Sequence, residues 1–386
     1  MFFLKLVLRN AFRARLRSLL TVLALVIALV AFGLLQTVVH AWYAGADSAS
    51  ATRLVTRNAI SLTFPMPLYY RAKIRAIDGV RGVAVSDWFG GIWRDEKNFF
   101  AQFAVDADNY FPMYPEFVFD PAQYQDYLRD HQGAAIGRQL ADLYGFKVGD
   151  RLVLRGTIYS GNWEFTVRAI YQGRDPGTLT RQMYLHYDML NEWIKQHHPR
   201  GADQVGAFVI QAADPAQVAE IGRRIDAEFA DSVAATLTES EKAFELSFVA
   251  MLDTIIDVIS GVSYIVIVII LAVAANTMAM TARERLPEYA TLRALGFGPS
   301  YLSRLLLAES LVLATAGGLI GIGLTPLLAR AFYDGLGKTF FAVFQVAPAT
   351  VAQQALAALA IGLAAALVPM IRSAQVSIAD GLRHVG

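Results

Sequence analysis

The chain has 386 residues, 55% of them hydrophobic and only 17% charged, against roughly 25% charged in soluble domains. Its mean hydropathy is +0.40 and its formal net charge +1, which excludes a bulk polyelectrolyte and argues against nucleic-acid binding, where a basic patch or stripe is the usual footprint. Cysteine is absent, so disulfides, thiol catalysis and cysteine zinc sites are excluded.

Residues 1–18 carry Lys5, Arg9, Arg13, Arg15 and Arg17 and no acidic residue. Leu4, Leu8 and Phe12 recur every four residues among them, which predicts an amphipathic entry helix lying on an anionic membrane surface. Residues 19–40 form the first span: a bilayer core of about 30 Å needs roughly 20 apolar residues in a helix. The weak cleavage context Ala41-Trp42-Tyr43-Ala44 does not make this a removed signal, because the apolar run exceeds the usual 7–15 residues.

Residues 41–237 have globular chemistry, with frequent aromatics and with turns of Gly, Pro and Asp. Arg151–Leu154 and Phe165–Ile170 alternate as strands around a hairpin turn at Ser160-Gly161-Asn162. Arg138–Tyr144 reads as a short helix ended by Gly145, and Pro215–Phe229 as an amphipathic one with Val218, Ile221, Ile225 and Phe229 on one face. The mix predicts an α+β domain without internal repeats. Residues 238–257 place Phe244, Phe248, Met251 and Ile255 at spacings of four and three between charged residues, as in an amphipathic stalk running unbroken into the next span.

The second span covers 258–282, the third 301–330 and the fourth 351–371, with a loop at 331–350 and a tail at 372–386. Gly317 and Gly321 form a small-xxx-small pair that lets another helix, in this chain or a second one, approach closely. Between spans two and three, residues 283–300 hold a short helix, with Pro287 in its first turn, Glu288 and Arg293 at the dipole-compatible ends and Gly296 as terminator. Leu292 and Leu295 on it are candidates for a partner's groove. Glu309 just inside span three calls for a basic partner in the hinge, and Arg293 is the candidate.

The fold class is therefore a membrane all-α part of four helices plus an extracytoplasmic α+β domain inserted between helices 1 and 2. Lys and Arg concentrate before span one, between spans two and three and after span four. That bias puts both termini in the cytoplasm and residues 41–257 outside.

No catalytic constellation emerges. His131 and His186 lack partners at metal-ligand spacing, His197-His198 reads as a solvated loop, and Asp106 and Asp108 read as turn-capping residues. Gly335-Leu336-Gly337-Lys338-Thr339 imitates the end of a phosphate loop, but Phe332 stands where its first glycine belongs.

The segment Asn276 to Gly296 resembles the FtsX/MacB-type permeases of ABC transporters. Asn276, Thr277, Glu284, Arg285, Glu288, Leu292, Arg293, Ala294, Leu295 and Gly296 match the family's hinge pattern, while Tyr289-Ala290 replaces its usual Ile-Gly. Glu309, Gly317 and Gly321 fit its third span, Arg9-Asn10 and Arg17–Thr21 its entry helix, and Gly381-Leu382-Arg383 its tail. Gly79–Val83, Val105-Asp106, Gly137–Leu140 and Val148-Gly149-Asp150 resemble a MacB-like periplasmic core domain. The resemblance implies a non-catalytic permease of the bacterial inner membrane, working by mechanotransmission in efflux or export. Lipoprotein release, or regulation of a periplasmic enzyme without transport, are the alternatives it leaves. Its implied partners are a separate ATPase docked on the 287–295 coupling helix, a second permease copy or homologue, a periplasmic adaptor protein and membrane lipid. It implies no cofactor in this chain, with ATP and magnesium held by the ATPase. Asn276, Glu284, Arg285 and Glu309 would form hinge and span contacts.

Overall fold

The computed structural model describes residues 2–175, 177–337, 341 and 343–374. The chain divides into a helical unit, Met1–Ala41 with Leu252–Gly386, and a sheet unit, Trp42–Met251. Helix α1 spans Phe2–Ala11 and α2 spans Arg15–Ser48. The entry segment is thus not one helix through residue 18. It breaks at residues 12–14, and the Ser18 hydroxyl donates to the Ala11 carbonyl across the elbow. That bond satisfies a carbonyl that the end of α1 leaves unpaired.

The sheet unit contains β1 (Arg53–Asn58), β2 (Met66–Pro67), α3 (Tyr70–Arg75), β3 (Val80–Trp88), β4 (Gly91–Trp93) and β5 (Ala101–Val105). There follow α4 (Ala107–Tyr110), β6 (Phe117–Val118), α5 (Pro121–Arg129), β7 (Gly133–Gly137), α6 (Arg138–Tyr144), β8 (Arg151–Gly156) and β9 (Gly161–Gly173). Next come β10 (Gln182–His186), α7 (Tyr187–His197), β11 (Gln204–Val205), β12 (Ala207–Ala212), α8 (Val218–Glu228), β13 (Thr236–Ser240) and α9 (Glu241–Ala250). The main sheet runs β13-β1-β12-β3-β5-β10-β7-β9-β8-β4, with β6 on β9. Its pairs are antiparallel except β5 with β10 and β7 with β9.

Alternation along the strands builds a core on each face. Val83, Val85, Met183 and Leu185 point to one face, where α3, α6, α7 and α8 cover them. Ala84 and Tyr184, one residue out of phase, point to the other, beneath α4, α5 and the aromatic loop 111–119. The β8–β9 hairpin pairs Arg151 with Thr166 through Gly156 with Gly161, so its turn falls at residues 157–160 and Gly161 opens β9. Gly145 ends α6 at φ +74°, a conformation that favours glycine.

The stalk is not continuous. Thr238–Ser240 belong to β13, paired on β1. Ser240 then caps α9, its hydroxyl accepting from the Ala243 amide, and a second break at Met251–Leu252 precedes α10 (Asp253–Glu284). A Ser cap with Glu241 in the first turn favours a new helix start here over an unbroken rod. The helical unit continues with α11 (Leu286–Ala294), α12 (Pro299–Phe332) and α13 (Pro348–Ala374). α2, α10, α12 and α13 are long and apolar enough to cross a membrane. At 1.5 Å per residue, the 34 residues of α2 and the 32 of α10 reach about 50 Å, well past a bilayer core.

Gly317 and Gly321 pack within the chain's own bundle. A Cβ at Gly317 would stand 2.6 Å from that of Leu25, and one at Gly321 3.1 Å from that of Leu29, so these glycines admit α2 against α12. Residues 372–374 of the expected tail end α13; the rest of it, with Gly381-Leu382-Arg383, falls outside the described residues, as does Lys338-Thr339 of the pseudo-phosphate loop.

Candidate functional site

The hinge is built around a corner residue. Helix α10 loses its regular geometry at Arg285, and α11 starts at the next residue with Pro287 in its first turn. The Arg285 side chain turns inward and is 9% exposed. Its Nη1 donates to both Glu309 oxygens at 3.0 Å, and its Nη2 donates to the Asn10 carbonyl at 2.6 Å. Glu309 lies on α12 and is 2% exposed. One guanidinium therefore fastens the end of α1, the α10–α11 corner and α12 together. Removing one partner of such a buried pair strands the other charge, at about 3–5 kcal/mol.

Two further arginines brace the same corner from its exposed side. Arg17 grips both oxygens of Glu284 at 2.7 and 2.8 Å, and Arg13 reaches Glu288 on α11 at 2.5 Å. Exposed pairs of this kind contribute about 0–1 kcal/mol each. Their value is geometric: the bidentate fork fixes the start of α2 against the end of α10. Arg17, Arg285 and Glu309 line a small cleft with Thr21 and Thr281.

The residues that depart from the family pattern prove to be structural. Tyr289 and Ala290 are buried, and Tyr289 packs with Ala282, Leu302 and Leu306. Leu292, three residues on, is half-buried and packs against the same cluster. Leu295 is 71% exposed just past the end of α11. Gly296 follows at φ +93°, with its amide bonded to the Arg293 carbonyl and that of Phe297 to Leu292. This is a Schellman ending, in which the left-handed residue is nearly always glycine. Phe297, also exposed, lies tilted against Tyr301 at 4.8 Å between ring centres.

Several expectations for the hinge change. The basic partner of Glu309 is Arg285, not Arg293, because Arg285 sits at the corner facing α12 while Arg293 occupies the last turn of α11. Pro287 and Glu288 lie on α11, Glu288 paired with Arg13. Asn276 is exposed on α10, outside the node. Arg13 and the Asn10 carbonyl were not foreseen as hinge contacts; they lie about 275 residues from their partners, a separation that leaves no signal in one sequence.

A second buried arginine holds the sheet unit where the chain enters and leaves it. Arg53 Nε donates to Glu241 at 2.9 and 3.0 Å, Nη1 to the Met113 carbonyl at 2.8 Å, and Nη2 to Glu116. Tyr114 stacks on the guanidinium at 4.1 Å. Glu241 also accepts from the Ser50 amide at 2.7 Å, so one carboxylate ties the segment between α2 and β1 to the start of α9. Burial opposes the Arg53 charge, but Glu241 and Glu116 outweigh it and hold the group more firmly protonated than usual.

Asp106 does not cap α4. Its carboxylate accepts from the Val85 amide and pairs with Arg71 at 2.7 Å, joining β3 to α3. His186 stacks on Tyr127 and bonds its carbonyl at 2.9 Å, and burial lowers its pKa. Among the described residues no group of three or more His, Asp or Glu could hold a metal ion.

Residues 18–228 match the MacB-like periplasmic core domain, and residues 260–378 match the C-terminal domain of FtsX-like permeases. The chain belongs to the FtsX/MacB-type family of ABC transporter permeases. Permeases of this family are membrane subunits, generally non-catalytic, that work with a partner ABC ATPase. Among solved structures, the extracellular domain of the noncanonic ABC-type transporter YknZ from Gram-positive bacteria is similar at 14% identity, covering 48% of this chain and 99% of that one, with a TM-score of 0.35. The periplasmic region of MacB from Actinobacillus actinomycetemcomitans is similar at 7% identity, covering 51% and 92%, with a TM-score of 0.36. No curated protein matches the chain.

Proposed function

We propose that this permease transmits ATP-driven motion from a separate cytoplasmic ATPase to its sheet unit on the outer side of the bacterial inner membrane. Both termini are cytoplasmic in this reading, and residues 41–257 are periplasmic. The helix α11 docks on the ATPase, and two copies, or a copy and a homologue, work as a pair. Cargo is handled at the outer face, in efflux or export with an adaptor protein.

The observation that carries the proposal is the Arg285 node. A docking helix transmits motion only if it is rigidly joined to the spans behind it. Here the start of α11 shares one buried guanidinium with α1 and α12, and exposed pairs join α11 to the elbow at residues 12–14 and the end of α10 to the start of α2. Leu295 and Phe297, exposed at its far end, supply the apolar contact a helix-in-groove partner takes. Co-purification with ATPases encoded in the same operon tests the reading. Hydrolysis stimulated by the intact permease and lost with Leu295→Asp supports it. Failure to bind any of those ATPases contradicts it.

A further inference from the structure

We infer that Gln354 on α13 is the pivot of a polar joint at which α2 and α12 bend together. The joint lies in the helical unit roughly 24 Å along α12 from Glu309, so it is separate from the Arg285 node. Gln354 is fully buried. Its Nε2 donates to the Leu29 carbonyl of α2 and to the Thr325 hydroxyl of α12, both at 2.8 Å. Its Oε1 has no hydrogen-bond partner among the described residues, so one nitrogen carries the whole connection. Gly33 is what lets the amide reach α2. A Cβ there would collide with the Gln354 amide and stand 2.9 Å from the Thr325 methyl. Next along α2, Gln36 donates to the Ser263 hydroxyl of α10 at 2.8 Å, with both side chains buried. This layer therefore joins all four long helices by hydrogen bonds.

Both helices that Gln354 ties are soft at this layer. In α2 the Thr37 hydroxyl donates to the Gly33 carbonyl at 2.7 Å, and in α12 the Thr325 hydroxyl donates to the Gly321 carbonyl at 2.8 Å. Such a bond to the preceding turn slightly weakens a helix and often bends it. Pro326 follows inside α12 with no amide to give the Ile322 carbonyl, and proline is a usual site of a helix kink. The Leu29 carbonyl, which α2 also uses for the Gly33 amide, is shared with Gln354. A bend at either softened turn moves an atom that Gln354 holds, and the same nitrogen passes the displacement to the other helix. A glutamine that only satisfied a stray carbonyl would need neither the glycine notch nor two softened turns.

The bend itself needs no ATPase; only its use in transport rests on the coupling reading. The test therefore takes the purified full-length chain in nanodiscs, without ATPase, and reads amide hydrogen exchange by mass spectrometry. Gln354→Leu should raise exchange about fivefold at residues 33–37 of α2 and at 325–330 of α12 together, the scale of one interhelical hydrogen bond. Thr325→Val, of nearly the same shape, removes only the α12 side of the tie. It should raise exchange at 33–37 of α2 about twofold, in a helix it leaves chemically intact. Residues 305–312 of α12, nearer the Arg285 node, should be unchanged in both variants. Unchanged exchange in α2 of Thr325→Val overturns the inference, and this variant decides alone if Gln354→Leu does not fold. A rise in Gln354→Leu that is confined to α13, or spread evenly over all four long helices, also overturns it, because a residue that merely packs gives one of these.

Discussion

Two buried arginines, Arg53 in the sheet unit and Arg285 in the helical unit, each clamp several chain segments, yet they are balanced differently. Arg53 faces two carboxylates, a carbonyl and a tyrosine ring. Arg285 faces one carboxylate and one carbonyl. Arg53 is thus over-compensated, and its ligands also bind other groups, notably the Ser50 amide on Glu241. Arg285 and Glu309 answer mainly to each other. A clasp with redundant ligands suits a joint that stays closed. A one-to-one pair suits a joint whose parts must move together and can be rearranged.

The largest expected effect separates the two directly. Arg53→Ala leaves Glu116 and Glu241 facing each other without a cation, so it should destabilise the protein by about 3–5 kcal/mol, toward the upper end. Unfolding of the purified full-length chain, with hydrogen exchange read over β1 and α9, measures it. Arg285→Met combined with Glu309→Leu should recover most of what Arg285→Ala alone loses, since replacing a whole buried pair by apolar residues is often near neutral. The matching pair Arg53→Met with Glu241→Leu should recover little, because Glu116 and the Ser50 amide stay unpartnered. Equal recovery in both would erase the distinction.

A smaller effect concerns pH. Burial pushes the Asp87 carboxyl up to about 6, against hydrogen bonds from Tyr159, Trp88 and Gly206. The ordinary value is about 3.9. The folded protein therefore holds a proton that the unfolded chain has released, and this contribution to stability declines as pH rises from about 4 to about 6. Asp87→Asn should remove its share of that slope. Smallest of all, Arg17→Gln should lower stability by at most about 1 kcal/mol and by less at high salt, because its pair with Glu284 is exposed.

The parts legible in the sequence were those written locally. Four apolar runs, the Gly145 helix stop and the Gly296 ending each follow from neighbouring residues. So does the amphipathic face of α8, where Ile221 and Ile225 are buried, with Phe229 buried just past its end. What escaped was written across the chain. Nothing near Arg53 signals Glu241, 188 residues away, and nothing near Glu309 chooses Arg285 over Arg293. The break at residues 12–14 escaped for a related reason: apolar periodicity runs through it, and the bond from Ser18 spans it. Periodicity also runs through the break at 251–252, where Leu252 opens α10 without a side-chain cap. Leu292 and Leu295 read alike by composition, and only the packing of Tyr289 shows which one is spent on the core.

The central claim is that α11 is the docking element and Arg285 its anchor. The chain has no cysteine, so a single Leu295→Cys provides a unique cross-linking handle. With the partner ATPase in membranes, a cross-link is expected from position 295 and none from Ile255→Cys, which is 54% exposed near the opposite end of α10. A cross-link of equal yield from both positions, or from position 255 alone, would contradict it.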